Sequence, residues 1–241
     1  MRSVPRLPAG LLVIGLLEAL NLGLYAAALA LGPIPVVVAL HLTSPVLLVA
    51  LSVMRGHRRA DKLVVLQTLL MASGIAFLGM QPTERAGSAP LLAGVLAIGS
   101  AVAVTALIVA VAKLAPAVNP DVAAAAQLTI AALAIAPVML FASPPDQLDA
   151  AVLLAAGAFF LGPGFAIYWR ALRGLSATTA GIIGLNEAVA ATILSLALFD
   201  VRPSWASALS GILVLAAIIL ELLPRETGTQ ASSARLGDKL E

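Results

Sequence analysis

The sequence predicts an all-α integral membrane protein with about eight transmembrane helices, and three observations predict it. Hydrophobic residues make up 61% of the 241 positions and charged residues only 11%, whereas a soluble domain keeps about a quarter of its residues charged to face water. Apolar stretches close to the roughly 20 residues that a helix needs to cross the bilayer core recur along the whole chain. The basic residues sit in the short segments between those stretches, and almost all on one side of them.

The predicted spans are 8–31, 34–54, 63–80, 90–112, 121–142, 149–169, 176–198 and 204–223. The first is too long for a cleaved signal peptide and runs into Leu31-Gly-Pro-Ile-Pro35 rather than a small-residue cleavage site, so it is read as a retained helix. Gly32-Pro33-Ile34-Pro35 separates the first pair of spans, Pro116 to Pro120 the fourth and fifth, and Ser143-Pro144-Pro145 the fifth and sixth. Gly162-Pro163-Gly164 interrupts the sixth, because proline removes a backbone hydrogen bond and glycine permits bending. That interruption is either a gating hinge or a static kink. Tyr168 and Trp169 follow it near the end of the span, where an interfacial aromatic belt is expected. From Pro224 the chain is polar, and residues 225–241 form a tail.

Orientation follows from counting Lys and Arg. With a cytoplasmic N-terminus, the inner segments carry Arg2, Arg6, the Arg55–Lys62 cluster, Lys113, Arg170, Arg173 and three basic residues of the tail, which together are 12 of the 14. The outer loops keep Arg85 and Arg202. Cytoplasmic loops of membrane proteins carry this excess, so the expectation is a multi-pass protein of the cytoplasmic membrane with both termini inside.

Several chemistries are excluded by what the sequence lacks. There are no cysteines, hence no disulfide and no thiolate metal site. Neither a Walker A sequence nor a His-Glu-x-x-His sequence is present, and no Ser, His and Asp set forms a hydrolase pattern. No metal, cofactor or nucleic-acid partner is expected; the partners expected are the lipid bilayer, a small-molecule substrate and protons.

An internal repeat adds a functional hint. A shift of 143 residues sets Tyr25-Ala-Ala-Ala-Leu29 over Tyr168-Trp-Arg-Ala-Leu172, and Leu42-Thr-Ser-Pro-Val46 over Leu185-Asn-Glu-Ala-Val189. The copies lie on spans one and two and on spans six and seven. An odd number of crossings separates them, so they point opposite ways through the membrane. Inverted repeats of this kind give secondary transporters two half-structures that open alternately to each side.

Polar residues at membrane depth are the candidate site. Glu18, Asn21 and Tyr25 fall at i, i+3 and i+7, within about 60° on one helix face. Glu18 lies roughly 16 Å into its span at 1.5 Å per residue, close to the midplane. Glu187 is equally deep in span seven, beside Asn186. A charged carboxylate there costs at least ~2.5 kcal/mol, so it must face a cavity, find a partner or carry a proton. Both acids are read as lining a substrate path with one or both moving protons, against the alternative that they only join helices. His41, with Ser44 and Pro45 one turn deeper, is either part of the same relay or an interhelical donor. Gln67, Thr105 and Gln127 are read as packing contacts, and Glu221 as snorkelling from the end of span eight.

The residues Leu20-Asn-Leu-Gly-Leu-Tyr25, Gly32-Pro-Ile-Pro35 with Leu40-His-Leu-Thr-Ser-Pro45, Tyr168-Trp-Arg-Ala-Leu172 and Leu185-Asn-Glu-Ala-Val189 resemble the EamA branch of the drug/metabolite transporter superfamily, and within it the threonine/homoserine exporter type. Ala188 departs from the family's Leu-Glu-Pro text. The resemblance implies two inverted five-helix halves. Here residues 1–85 would be a first half with three helices and 86–224 a complete second half, an inverted-repeat transporter bundle of 3 + 5 helices lacking two at its start. The function it implies is a secondary transporter, in the export direction, of small metabolites such as amino acids, with proton coupling. The alternatives are a truncated, non-transporting membrane scaffold and an intramembrane enzyme, which would have only Glu18, His41 and Glu187 to work with.

Overall fold

The computed structural model describes residues 9–81, 87–139, 146–199 and 204–223. The readings placed on Arg2, Arg6, Arg85, Arg202, the Ser143-Pro144-Pro145 turn and the tail from Pro224 lie outside the described residues. Among the described residues the chain is all-helical, with eight helical units long and apolar enough to cross a membrane.

The first crossing is α1 (Ala9–Leu31), and the second is broken into α2 (Ile34–His41) and α3 (Ser44–Met54). Then follow α4 (Lys62–Gly79), α5 (Pro90–Leu114) continued by a 3-10 turn, and α6 (Pro120–Met139). The sixth crossing is α7 (Gln147–Ala156), a π turn (Gly157–Leu161) and α8 (Gly162–Ala171). The seventh is broken into α9 (Ala177–Gly184) and α10 (Asn186–Phe199), and the eighth is α11 (Trp205–Leu222).

Local chemistry sets the ends of these helices. Asp61, Asp146, Ser176 and Ser204 each accept, through the side chain, the backbone N–H three residues on, at 2.7–3.1 Å. Asn119 accepts from Asp121 and Val122 at the start of α6. Such caps satisfy amide groups that the first helical turn leaves unpaired. Past α3 the chain makes a Schellman turn: Gly56 stands at φ +71°, His57 N–H donates to Ser52 O and Gly56 N–H to Val53 O. The positive φ suits glycine, and the turn folds Arg58 back beneath the bundle.

Packing uses small residues, as expected where no hydrophobic force drives helices together in lipid. Ala28 of α1 and Ala93 and Ala97 of α5 are fully buried, and a Cβ on Gly32 would fall 2.5 Å from that of Ala93. The opposite extreme is α7, which has no buried residue. Its leucines, together with Phe159 and Phe160, face outward.

The two broken crossings meet. In the second, Pro45 has no N–H to return to His41, and the α2–α3 step closes instead with Thr43 N–H on Leu40 O. Crossing seven breaks at Leu185 without any proline, Ala188 included, by the same tightening: Leu185 N–H donates to Ile182 O and Ala188 N–H to Leu185 O, each at 3.2 Å. Leu42 and Leu185, the break residues, stand 143 positions apart, which is the offset of the sequence repeat. There α9 lies on α3, so close that a Cβ on Gly181 would overlap Leu48 Cδ1 and come 3.8 Å from Pro45 Cα.

Candidate functional site

The face of α1 that carries Glu18, Asn21 and Tyr25 divides its residues between two clusters. In the first, Glu18 is 4% exposed and its Oε2 accepts from Gln127 Nε2 at 3.0 Å. Gln127 Oε1 accepts in turn from Trp169 Nε1 at 2.8 Å. Both partners are buried, so α1, α6 and α8 are joined by a carboxylate–amide–indole chain. Tyr168, half-buried, stands within electrostatic reach of Glu18. Trp169 is therefore no part of an interfacial belt: α8 is rotated so that its indole fills the core. Gln127 is the contact between helices that was expected of it, and the acid is what it holds.

The second cluster joins α1, α2 and α5. Ser100 Oγ donates to Asn21 Oδ1 at 2.7 Å and lies 2.9 Å from His41 Nδ1. Serine has one hydroxyl proton, and with that proton on Asn21 the His41 contact requires a proton on Nδ1. The His41 ring also stacks on Tyr25, with centroids 4.3 Å apart and planes tilted by 31°. Tyr25 is within electrostatic reach of Glu187. The repeat-related tyrosines, Tyr25 and Tyr168, thus each stand near one of the two membrane-depth acids.

Asn186 and Glu187 open α10 and are exposed. As the acid of a first helical turn, Glu187 sits against the positive end of the half-helix dipole. Ser44 and Pro45 hold the matching position on α3 and are buried, with Thr105 Oγ1 donating to Ser44 O at 3.4 Å. Half-helix ends pointing into the middle of a bundle are how transporters present backbone dipoles to a bound solute.

Gly162, Pro163 and Gly164 do not break crossing six; they form the first turn of α8. The irregularity is displaced to the preceding turn. A π turn over Gly157–Leu161 closes with Gly162 N–H on Gly157 O. Proline cannot donate, and its ring crowds the carbonyl four residues back; widening the turn relieves both.

Sequence reasoning missed a third cluster at the basic end of the bundle. Arg58 donates to Glu221 Oε2 at 2.7 Å and to Gln67 Oε1 at 2.7 Å, while Thr179 Oγ1 donates to Glu221 Oε1 at 2.8 Å. Gln67 Nε2 reaches Ala217 O and the same carboxylate. Glu221 therefore does not snorkel outward; it is a buried junction of four elements. Among the described residues no group of three His, Asp or Glu side chains could hold a metal ion.

Residues 91–223, from α5 to the end of α11, match the EamA-like transporter family. No curated protein matches the chain. A solved crystal structure is similar, with a TM-score of 0.74 and 21% identity over 92% of this chain and 78% of the other, a likeness of fold.

Proposed function

The chain belongs to the EamA-like transporter family, and from that premise we propose that it is a secondary transporter exporting small metabolites, such as amino acids of the threonine/homoserine type, across the cytoplasmic membrane. Both termini lie in the cytoplasm in this reading, and residues 1–85 and 86–224 act as two inverted halves. The observation that carries it is the pair of broken helices. α2–α3 and α9–α10 break at repeat-related residues, meet at Gly181 and Leu48, and offer two half-helix ends to one solute from opposite directions.

Glu18 and Glu187 couple the movement to protons. Glu18 is held by Gln127, and Glu187 is exposed and within electrostatic reach of Tyr25. Asn21, Tyr25, His41, Pro45, Tyr168 and Asn186 line the path between them, and the π turn before Gly162-Pro163-Gly164 lets α8 tilt. The test is flux in proteoliposomes. Glu18→Gln and Glu187→Gln proteins insert normally but lose flux driven by a pH gradient; undiminished flux in both removes the proton relay. An export screen across amino acids and cationic drugs identifies the substrate, and no flux of any of them would leave the scaffold reading.

A further inference from the structure

A cavity of about 550 Å3 opens away from the central acids, at the basic end of the bundle, between α3, α5, α9 and α11. Leu48 and Val109 give its wall apolar surface, and Arg55, Arg58 and Lys113 line it too, with Glu221 as the acidic residue among the described ones. Glu221 is already engaged by Arg58, Gln67 and Thr179, so among the described residues no carboxylate pairs with Arg55 or Lys113, which line the same cavity. Both side chains are exposed. Arg58 is itself 91% buried, since its side chain is 9% exposed, and its Nε–H has no hydrogen-bond partner among the described residues. Simple topological anchors would point their charges outward to lipid headgroups and water. Here three cations, Arg55 and Arg58 from the turn after α3 and Lys113 from the end of α5, line one open cavity.

An apolar groove between α3 and α5 runs into the same place and shares Arg55 and Lys113 with it. The two cations therefore stand where the cavity and the apolar groove meet. Low-dielectric walls lined by one sign of charge concentrate ions of the other sign, and the chamber is of the size that takes a small molecule.

We propose that this chamber is a binding site for the anionic group of a small organic solute, a carboxylate or phosphate held between Arg55 and Lys113 with an apolar body against Leu48 and Val109. The inference rests on the transporter reading for its role, as the place where substrate enters from the basic side, but binding is measurable without transport. The same chemistry has a second source in the headgroup of an anionic lipid reaching the cations along the α3–α5 groove.

The chain has no cysteine, so Ser52→Cys places one thiol on the chamber wall. In nanodiscs of phosphatidylcholine, the thiol reacts with a sulfonate-bearing methanethiosulfonate about tenfold or more faster than with the trimethylammonium reagent, relative to a free thiol. Millimolar glutarate slows that labelling and glutaramide does not. Arg55→Gln combined with Lys113→Gln abolishes both effects. If glutarate fails but phosphatidylglycerol in the nanodisc slows labelling, and the double variant removes that effect, the anion is a lipid headgroup at the same site. Equal labelling by both reagents, or no protection by either anion, overturns the site. Protection with no flux of any solute would separate a failed transport reading from a valid anion site.

Discussion

The guanidinium of Arg58 donates to the carboxylate of Glu221 across 163 residues of sequence, at 2.7 Å, with the two side chains 9% and 7% exposed. A turn set by Gly56 brings the arginine there, and the last helical turn of α11 supplies the acid. Buried pairs of this kind add little net stability over apolar replacements, but removing one partner strands the other. Glu221→Ala is expected to cost about 3 kcal/mol, with Arg58→Met/Glu221→Leu recovering much of it. Equilibrium unfolding in mixed micelles measures both, and equal costs for the single and double changes would contradict the arrangement.

Gly15 is expected to be among the least replaceable residues of α1. A Cβ there would lie 2.5 Å from Ile130 Cβ and 2.6 Å from its Cγ2 methyl, and Cβ cannot move aside without the backbone of α6. Gly15→Ala should push α1 from α6, lengthen the Glu18–Gln127 bond one turn on, and cost about 1–3 kcal/mol. Thermal melting reads the loss, and Ile130→Ala in the same protein restores part of it by removing Cγ2.

Only two tryptophans occur in the chain, Trp169 and Trp205, so Trp205→Phe leaves a single reporter on the Glu18 chain. Its emission is expected to be blue-shifted, as befits a side chain with 0% exposure. Protonation of Glu18 alters the charge that Gln127 faces, so the emission should change with pH, and that change should vanish when Glu18→Gln is added. A pH response that persists in the Gln variant would detach Trp169 from the acid.

Single thiols distinguish the two acids by access. Glu187 is exposed and Glu18 is 4% exposed, so Glu187→Cys should react with a water-soluble maleimide while Glu18→Cys stays protected. Comparable rates at the two positions would contradict the burial that separates the clusters.

The crossings were legible in the sequence because span length and apolar content encode them directly, and the caps at Asp61, Asp146, Ser176 and Ser204 are local signals. The break in the second crossing was not read, although Pro45 marks it: the predicted span runs unbroken over 34–54, and the structure divides it into α2 and α3. Crossing seven shows why such reading runs out. It breaks at Leu185 with Ala188 in place of proline, held by tertiary packing on α3 rather than by its own residues. The partners of the acids were hidden for the same reason. Gln127 is 109 residues from Glu18, and nothing local marks an isolated glutamine in an apolar helix as the group that will meet it. Trp169 carries the ambiguity of its position, since a span end suits a belt, and only the rotation of α8 turns the indole inward. Glu221 misled in the same way: proximity to a helix end says nothing of an arginine that a distant turn delivers.

The π turn in crossing six makes that span a shaft in two lengths joined by a phase coupling. A π turn carries one residue more than an α turn, and each residue turns a helix by about 100°. Deleting one residue between Gly157 and Leu161 would therefore close the π turn into an α turn and keep α7 in phase with α8, whereas a deletion within α7 would spin the part of α7 before it by that angle. α7 has no buried side chain, so spinning it only exchanges one greasy surface for another. α8 carries Trp169 and its bond to Gln127, and it tolerates no such change. Crossing six can thus lose the extra residue of its π turn, or be re-cut along α7, without disturbing the indole that steadies Glu18.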